Sequence, residues 1–154
     1  MSQSSATEIC NLLYRYAEAI DGGRLEDAAA LFRHARIEAG AGEPLDADGL
    51  LALWRRILVI YPCGTPRTRH LITNPILDID EEAGTAEARS CYTVLQATDA
   101  LPLQIIASGR YLDRFARVDG NWRFVARDYR HLDFRGDMSQ HLQAGSLRKP
   151  TTAH

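Results

Sequence analysis

Few polar side chains of this chain fall where an apolar one would be expected, and those few carry the chemistry open to it. Asp21 closes an apolar helical run directly after Ile20, and His70 opens a long β-branched run after a proline-rich connection. A carboxylate that accepts from one imidazole nitrogen fixes the tautomer, makes the other nitrogen a better base and steadies the imidazolium that forms. Tyr14 and Tyr16 share the helix of Asp21, while Arg127, Asp128, Arg130 and His131 end the last strand. A phenol or guanidinium beside such a base stabilises an enolate or a departing oxygen. Asp21 and His70 stand 49 positions apart, so only the fold can bring them together.

Read singly, each of these residues also has a plainer role. Asp21, before Gly22-Gly23, suits a helix-terminal turn in which the carboxylate bonds its own backbone. His70 suits a satisfied strand-end histidine, and Tyr16 a core ring with its hydroxyl at the rim. Arg127 and Arg130 read as exposed or ion-paired residues at a sheet edge, His34 as solvated, and His131 and His141 as surface residues near the tail. Trp54 and Trp122 read as core aromatics. Neither HxH nor HxxxH spacing occurs, nor a facial triad, so no metal is expected. Gly22-Gly23 is a helix stop with no lysine motif behind it, not a phosphate loop. Cys10, Cys63 and Cys91 are odd in number and form no CxxC pair, which predicts buried free thiols.

The elements that must position this set follow from periodicity. From Ala6 to Ala19, Ile9, Leu12, Leu13, Tyr16 and Ile20 recur at helical steps, and the glycines after Asp21 end the run. A short second helix covers Leu25 to Phe32. Ile37 suits a short strand, and Asp46 to Ile60 a third helix with Asp46 or Asp48 as its cap. Tyr61 to Pro66 breaks the chain. Strands are then expected over His70 to Asp80, Thr85 to Ala97, Leu103 to Val118 and Asn121 to Arg130, with Asp119-Gly120 as a tight hairpin turn. Pro75 inside the first of them predicts an edge position or a bulge. Ser139 onward reads as a loose tail, frayed by Pro150-Thr151-Thr152, which makes residues 1–138 one domain and 139–154 a tail.

Helices first and antiparallel strands after is the order of an α+β fold, and a small sheet bending around helices leaves an open end that suits a ligand. With 154 residues, 45% of them hydrophobic, and a net charge of −2, the chain is a globular domain with no clustered cationic surface for nucleic acid. No apolar run reaches the ~20 residues that span a bilayer, and Met1 to Thr7 lacks the shape of a signal peptide, so a cytoplasmic protein is expected.

Three stretches carry a resemblance: Tyr14 through Asp21, Arg69-His70-Leu71-Ile72-Thr73-Asn74, and the hairpin from Ser108-Gly109-Arg110-Tyr111 to Trp122-Arg123-Phe124. Together they are similar to the SnoaL-like branch of the nuclear transport factor 2-like superfamily, over residues 5 to 135. The resemblance implies a cystatin-like cone, three N-terminal helices on a curved, mostly antiparallel sheet. Within that branch the chain is similar to dehydratase-type members, such as the scytalone and bile-acid 7α-dehydratases and the hexachlorocyclohexane dehydrochlorinase. These imply a cofactor-independent lyase or isomerase for a hydrophobic cyclic or aromatic molecule, with a deep pocket beside the pair. His70 is then the base oriented by Asp21, and Tyr16 reaches the substrate. Tyr14, Trp54, Gln96, Tyr111, Arg127 and Arg130 are the implied substrate contacts. Gln96 and Tyr111 stand where scytalone dehydratase has a histidine and an asparagine, and Ile20 where it has a tyrosine. A second branch of relatives, the small subunits of ring-hydroxylating dioxygenases, shares the closing hairpin and implies a non-catalytic module bound to a larger oxygenase subunit. The outer sheet face left bare by such a cone predicts a homodimer or higher homo-oligomer.

Overall fold

The computed structural model describes residues 3–145. Helices α1 (Ser5–Asp21), α2 (Leu25–Ala30) and α3 (Ala47–Ile57) lie on one face of a five-stranded sheet, with β1 (Arg36–Glu38) between the second and third helices. The long strands are β2 (Thr68–Asp80), β3 (Thr85–Gln96), β4 (Gln104–Val118) and β5 (Asn121–Arg135). Their order is β1-β5-β4-β3-β2, antiparallel except for β1 beside β5. This is the α+β cone expected. Among the described residues no helix is long and apolar enough to cross a membrane.

Local chemistry explains the element ends. The Ser4 hydroxyl accepts from the Thr7 amide at the start of α1, and the Asp46 carboxylate accepts from the Gly49 amide at the start of α3. Pro75 lies on β2, an edge strand, inside a register shift between Thr73 and Ile76, with Asn74 at φ 52°. Asp119 and Gly120 both take positive φ, as a two-residue hairpin with the twist of its strands requires.

Two boundaries differ from expectation for one reason. The chain from Ser139 is not loose at first: it docks as far as Gln143, whereas Pro150-Thr151-Thr152 lie outside the described residues. The Val59 amide donates to the His141 carbonyl, the Gln143 amide donates to the Ile57 carbonyl, and Leu58 bridges Leu142. This pairing ends α3 at Ile57 instead of Ile60. Two side chains fasten the same segment. The Tyr61 hydroxyl donates to the Gln140 carbonyl at 2.5 Å, and the Gln96 amide donates to both the Gln140 and Pro66 carbonyls at 3.0 Å. Gln96 is therefore a buried strap anchor. Gln96→Leu is expected to cost about 1–3 kcal/mol, because the Pro66 carbonyl loses this donor and the Gln140 carbonyl keeps only that of Tyr61. Urea denaturation should show that loss, and the Val59 amide should lose protection from hydrogen exchange.

The core lies between the helices and the inner sheet face, where Ile9, Leu13, Phe32, Leu50, Ile106, Phe115 and Phe124 are fully enclosed. Arg127 joins them. Strict alternation from Trp122 and Phe124 would turn residue 127 outward, but the register slips between Phe115↔Phe124 and Arg114↔Ala126. The extra residue, Val125, reverses the phase and sends Arg127 inward. Its cross-strand partner is Asp113. Nor is β5 an edge, because β1 covers its outer side. The expected exposed edge arginine is thus a core residue.

Candidate functional site

Asp21 is the last residue of α1, and the turn after it fixes where the carboxylate points. The Gly23 amide donates to Ile20 and the Arg24 amide to Ala19, with Gly23 at φ 72°. That closure needs glycine. A Cβ on Gly23 would also fall 1.9 Å from the Gly64 carbonyl oxygen, so the helix end and the loop before β2 touch backbone to backbone. The start of β2 is thereby held against the end of α1.

Three donors from that start converge on Asp21. Oδ2 accepts from the His70 amide at 2.7 Å, and Oδ1 accepts from the Thr68 hydroxyl at 2.8 Å. Oδ1 also lies 2.6 Å from His70 Nδ1. An ionised carboxylate only accepts, so Nδ1 carries the ring proton and the lone pair of the neutral ring is on Nε2. Among the described residues Nε2 has no protein partner, and it is not sealed from solvent. The two side chains are 7% (His70) and 12% (Asp21) exposed, so the pair is largely desolvated and still open on one side.

Beside the pair lies an open cleft of about 430 Å³, walled by Tyr14, Ala17, Glu18, Arg24, Arg69 and Ile72. Beneath the sheet, side chains occupy the space. The Arg127 guanidinium lies 4.0 Å from the Tyr111 ring centre and 4.4 Å from that of Tyr16, with Phe124, Phe32 and Tyr129 around it. It makes a bidentate pair with Asp113 at 2.7 and 2.8 Å, both side chains fully buried. Burial pushes the hydroxyls of Tyr16, Tyr111 and Tyr129 well above the usual phenol range, so all three stay protonated.

Of the residues singled out from the sequence, six form one contiguous cluster. Tyr16 meets His70 edge to face at 6.4 Å, and it also packs on Trp54, Tyr111 and Arg127. Tyr14 stands apart on the cleft wall, 44% exposed. Arg130 is exposed and paired with Asp128 and Glu38, so nothing joins it to the dyad. Tyr111 stacks on Tyr92 at 4.4 Å as a core ring.

Sequence reading missed two neighbours of the pair. Thr68 carries no signal beyond its place at the strand start. His141, expected on the surface, is 7% exposed, and its ring lies 6.5 Å from that of His70. The docked segment puts it there, and no periodic pattern announces that docking. Burial, and then the neighbouring His70, push the His141 ring down to about 4, with Asp21 opposing. The ring titrates near 6.5 when unfolded. Between those values the unfolded chain binds the extra proton, so stability falls as pH drops from 6.5 to 4 and this group contributes nothing above that window. The loss approaches about 3 kcal/mol. Urea denaturation at pH 7 and pH 4.5 should show a drop in the wild type that is smaller in His141→Phe.

Among the described residues no three His, Cys, Asp or Glu side chains are grouped to hold a metal. The SnoaL-like domain family model matches residues 2–128. No curated protein sequence matches the chain. Among solved structures, a protein of unknown function from Mycobacterium tuberculosis is 29% identical, with a TM-score of 0.65 over 82% of this chain and 70% of that one. A proposed scytalone dehydratase from Novosphingobium aromaticivorans is 24% identical, TM-score 0.64, over 82% and 83%. The β subunit of a proposed aromatic-ring-hydroxylating dioxygenase from the same organism is 21% identical, TM-score 0.63, over 88% and 94%. At the last two identities the likeness is one of fold.

Proposed function

We propose that this chain, which belongs to the SnoaL-like domain family, is a cofactor-independent lyase or isomerase of dehydratase type for a hydrophobic cyclic or aromatic small molecule. The observation that carries the proposal is the 2.6 Å contact of Asp21 with His70 Nδ1, which leaves Nε2 without a protein partner in a residue that lines an open cleft. In the reaction Nε2 takes a proton from carbon, and the C–H electron pair forms the new double bond. The proton then leaves with the β-hydroxyl as water, which restores the neutral ring. Asp21 stabilises the imidazolium in between. Tyr16, kept protonated by burial, packs on the base from the inner side, and Tyr14 lines the approach from the cleft. The test is turnover of a panel of cyclic β-hydroxy ketones, followed by enone absorbance, in wild type and His70→Ala. Turnover that His70→Ala abolishes without unfolding supports the reading. Equal turnover, or an unfolded variant, assigns the histidine a structural role.

One observation favours a second reading. The space beneath the sheet is occupied by Arg127 and its rings, as suits a packing module like a dioxygenase small subunit. Copurification with a larger iron-containing subunit, unaffected by His70→Ala and Asp21→Ala, would decide for it. Under either reading the exposed Leu71, Ile76, Ile105 and Phe134 suit a homodimer or higher homo-oligomer.

A further inference from the structure

We infer that His141 is the second imidazole of this site: it donates an N–H to the oxygen of a carbonyl substrate while His70 Nε2 removes the adjacent carbon-bound proton. The inference rests on the dyad reading above and narrows its substrate class to ketones and related carbonyl compounds with an acidic α-hydrogen.

The placement of His141 is built, not incidental. Its carbonyl accepts from the Val59 amide, and the residue before it is held by Tyr61 and Gln96 through one carbonyl. Those partners come from the stretch after α3 and from the end of β3, so two separate parts of the chain hold the segment in register. The ring then stands 6.5 Å from the His70 ring at an interplanar angle of 65°. Nδ1 of His141 is buried with no partner. Nε2, like that of His70, has no protein partner among the described residues and is not sealed. A buried histidine given neither partner by the protein is one whose hydrogen bonding is left for something else. The separation suits a carbonyl compound: its oxygen and its α-carbon are ~2.4 Å apart, and each can lie a hydrogen-bond length from one ring.

The charge states are complementary. Burial and the adjacent His70 keep His141 uncharged at neutral pH, so it can donate as a neutral imidazole without competing for the proton that His70 takes. Asp21 bonds the His70 ring directly, whereas its weaker pull on His141 is outweighed by burial and by His70. In the step, the C–H bond breaks and its proton goes to His70 Nε2. The electron pair moves onto the carbonyl oxygen as an enolate, which the His141 N–H stabilises. No oxidant, reductant or second substrate is needed, and return of a proton to carbon reverses it.

The experiment is exchange of the α-protons of 2-tetralone in D2O, followed by 1H NMR, with wild type, His70→Ala, His141→Phe and His141→Gln. Wild type is expected to accelerate exchange, and His70→Ala to lose ~10²–10⁴-fold of it. His141→Phe should lose ~10²–10³-fold, as for removal of one oxyanion donor, and His141→Gln, which keeps an N–H, should lose less. If wild type gives no acceleration, the dyad reading falls and this inference with it. If His70→Ala is inactive while His141→Phe exchanges as fast as wild type, only the role of His141 is overturned. A measurement without substitution guards against a variant that misfolds. In 15N-edited spectra of wild type, 2-naphthol, a stable analogue of the enol, should shift the His141 ring nitrogens, and unmoved signals would overturn the assignment.

Discussion

Replacing Asp113 by alanine is expected to cost about 3–5 kcal/mol of stability, because it leaves the Arg127 guanidinium charged, dry and unpaired. Water does not reach this pair, as both side chains are fully buried. Around Arg127 stand five aromatic rings, whose faces attract a cation but cannot replace a carboxylate. Burial pushes the Asp113 carboxyl upward and Arg127 pulls it back, and the two parallel hydrogen bonds are the geometry that favours the ionised pair. Removing one partner exposes the full desolvation cost of the other. A loss of that size is a large share of the ~5–15 kcal/mol that holds a domain folded. Thermal and urea denaturation followed by circular dichroism would measure it. Asp113→Asn, which keeps the shape and one acceptor, should lose less. The double variant Asp113→Leu with Arg127→Met should recover most of the loss, since buried pairs can often be exchanged for apolar residues at little cost. A loss under about 1 kcal/mol in Asp113→Ala would mean that water or another acceptor reaches the guanidinium.

That pair also shows where the sequence is legible and where it is not. Alternation along β4 puts Asp113 in phase with Tyr111 and Phe115, so a carboxylate on the core-facing side could be read directly. Its partner could not, because one extra residue at Val125 reverses the phase of β5, and nothing in the side chains there marks a bulge. The cap at Asp46 and the stop after Asp21 were readable because they are local: that carboxylate and those glycines act on backbone within four residues. Pro75 was readable because a missing donor has few places in a sheet. The pairing of Asp21 with His70 is not local, and the residues showed only that both are out of place among apolar neighbours. Likeness to known members of the fold supplied the rest. His141 gave no sign at all. Its burial depends on backbone pairing of residues 57–59 with 141–143, and backbone donors are the same in every sequence. The interior of the cone is legible only in part for a related reason: a cone can be inferred from element order, but how far rings fill it depends on rotamers that the order of elements does not fix.

Asp21→Asn is expected to abolish proton abstraction while leaving the fold in place, with a loss of about 10⁴-fold, the size seen when a base is locked in the wrong tautomer. The argument turns on a backbone group that cannot reverse its role. Asp21 Oδ2 accepts from the His70 amide, which can only donate, so the oxygen of an asparagine must face that amide. Its NH₂ then takes the place of Oδ1, against Thr68 and His70 Nδ1. The threonine hydroxyl can turn and accept. The imidazole can satisfy the new donor only by moving its proton from Nδ1 to Nε2. Nε2 becomes a donor, and the lone pair that would take the substrate proton is gone. The variant would keep every heavy atom in position and lose the chemistry. Asp21→Ala removes the same contact but leaves the ring free to choose its tautomer, so it should retain more activity than Asp21→Asn despite a larger structural loss. That inverted order separates a catalytic pair from a structural one, for which the isosteric variant would be the milder. The 15N shifts of the His70 ring report the tautomer directly, and α-proton exchange reports the rate. If Asp21→Asn keeps the proton on Nδ1, or if it exchanges faster than Asp21→Ala, the carboxylate does not set the state of His70.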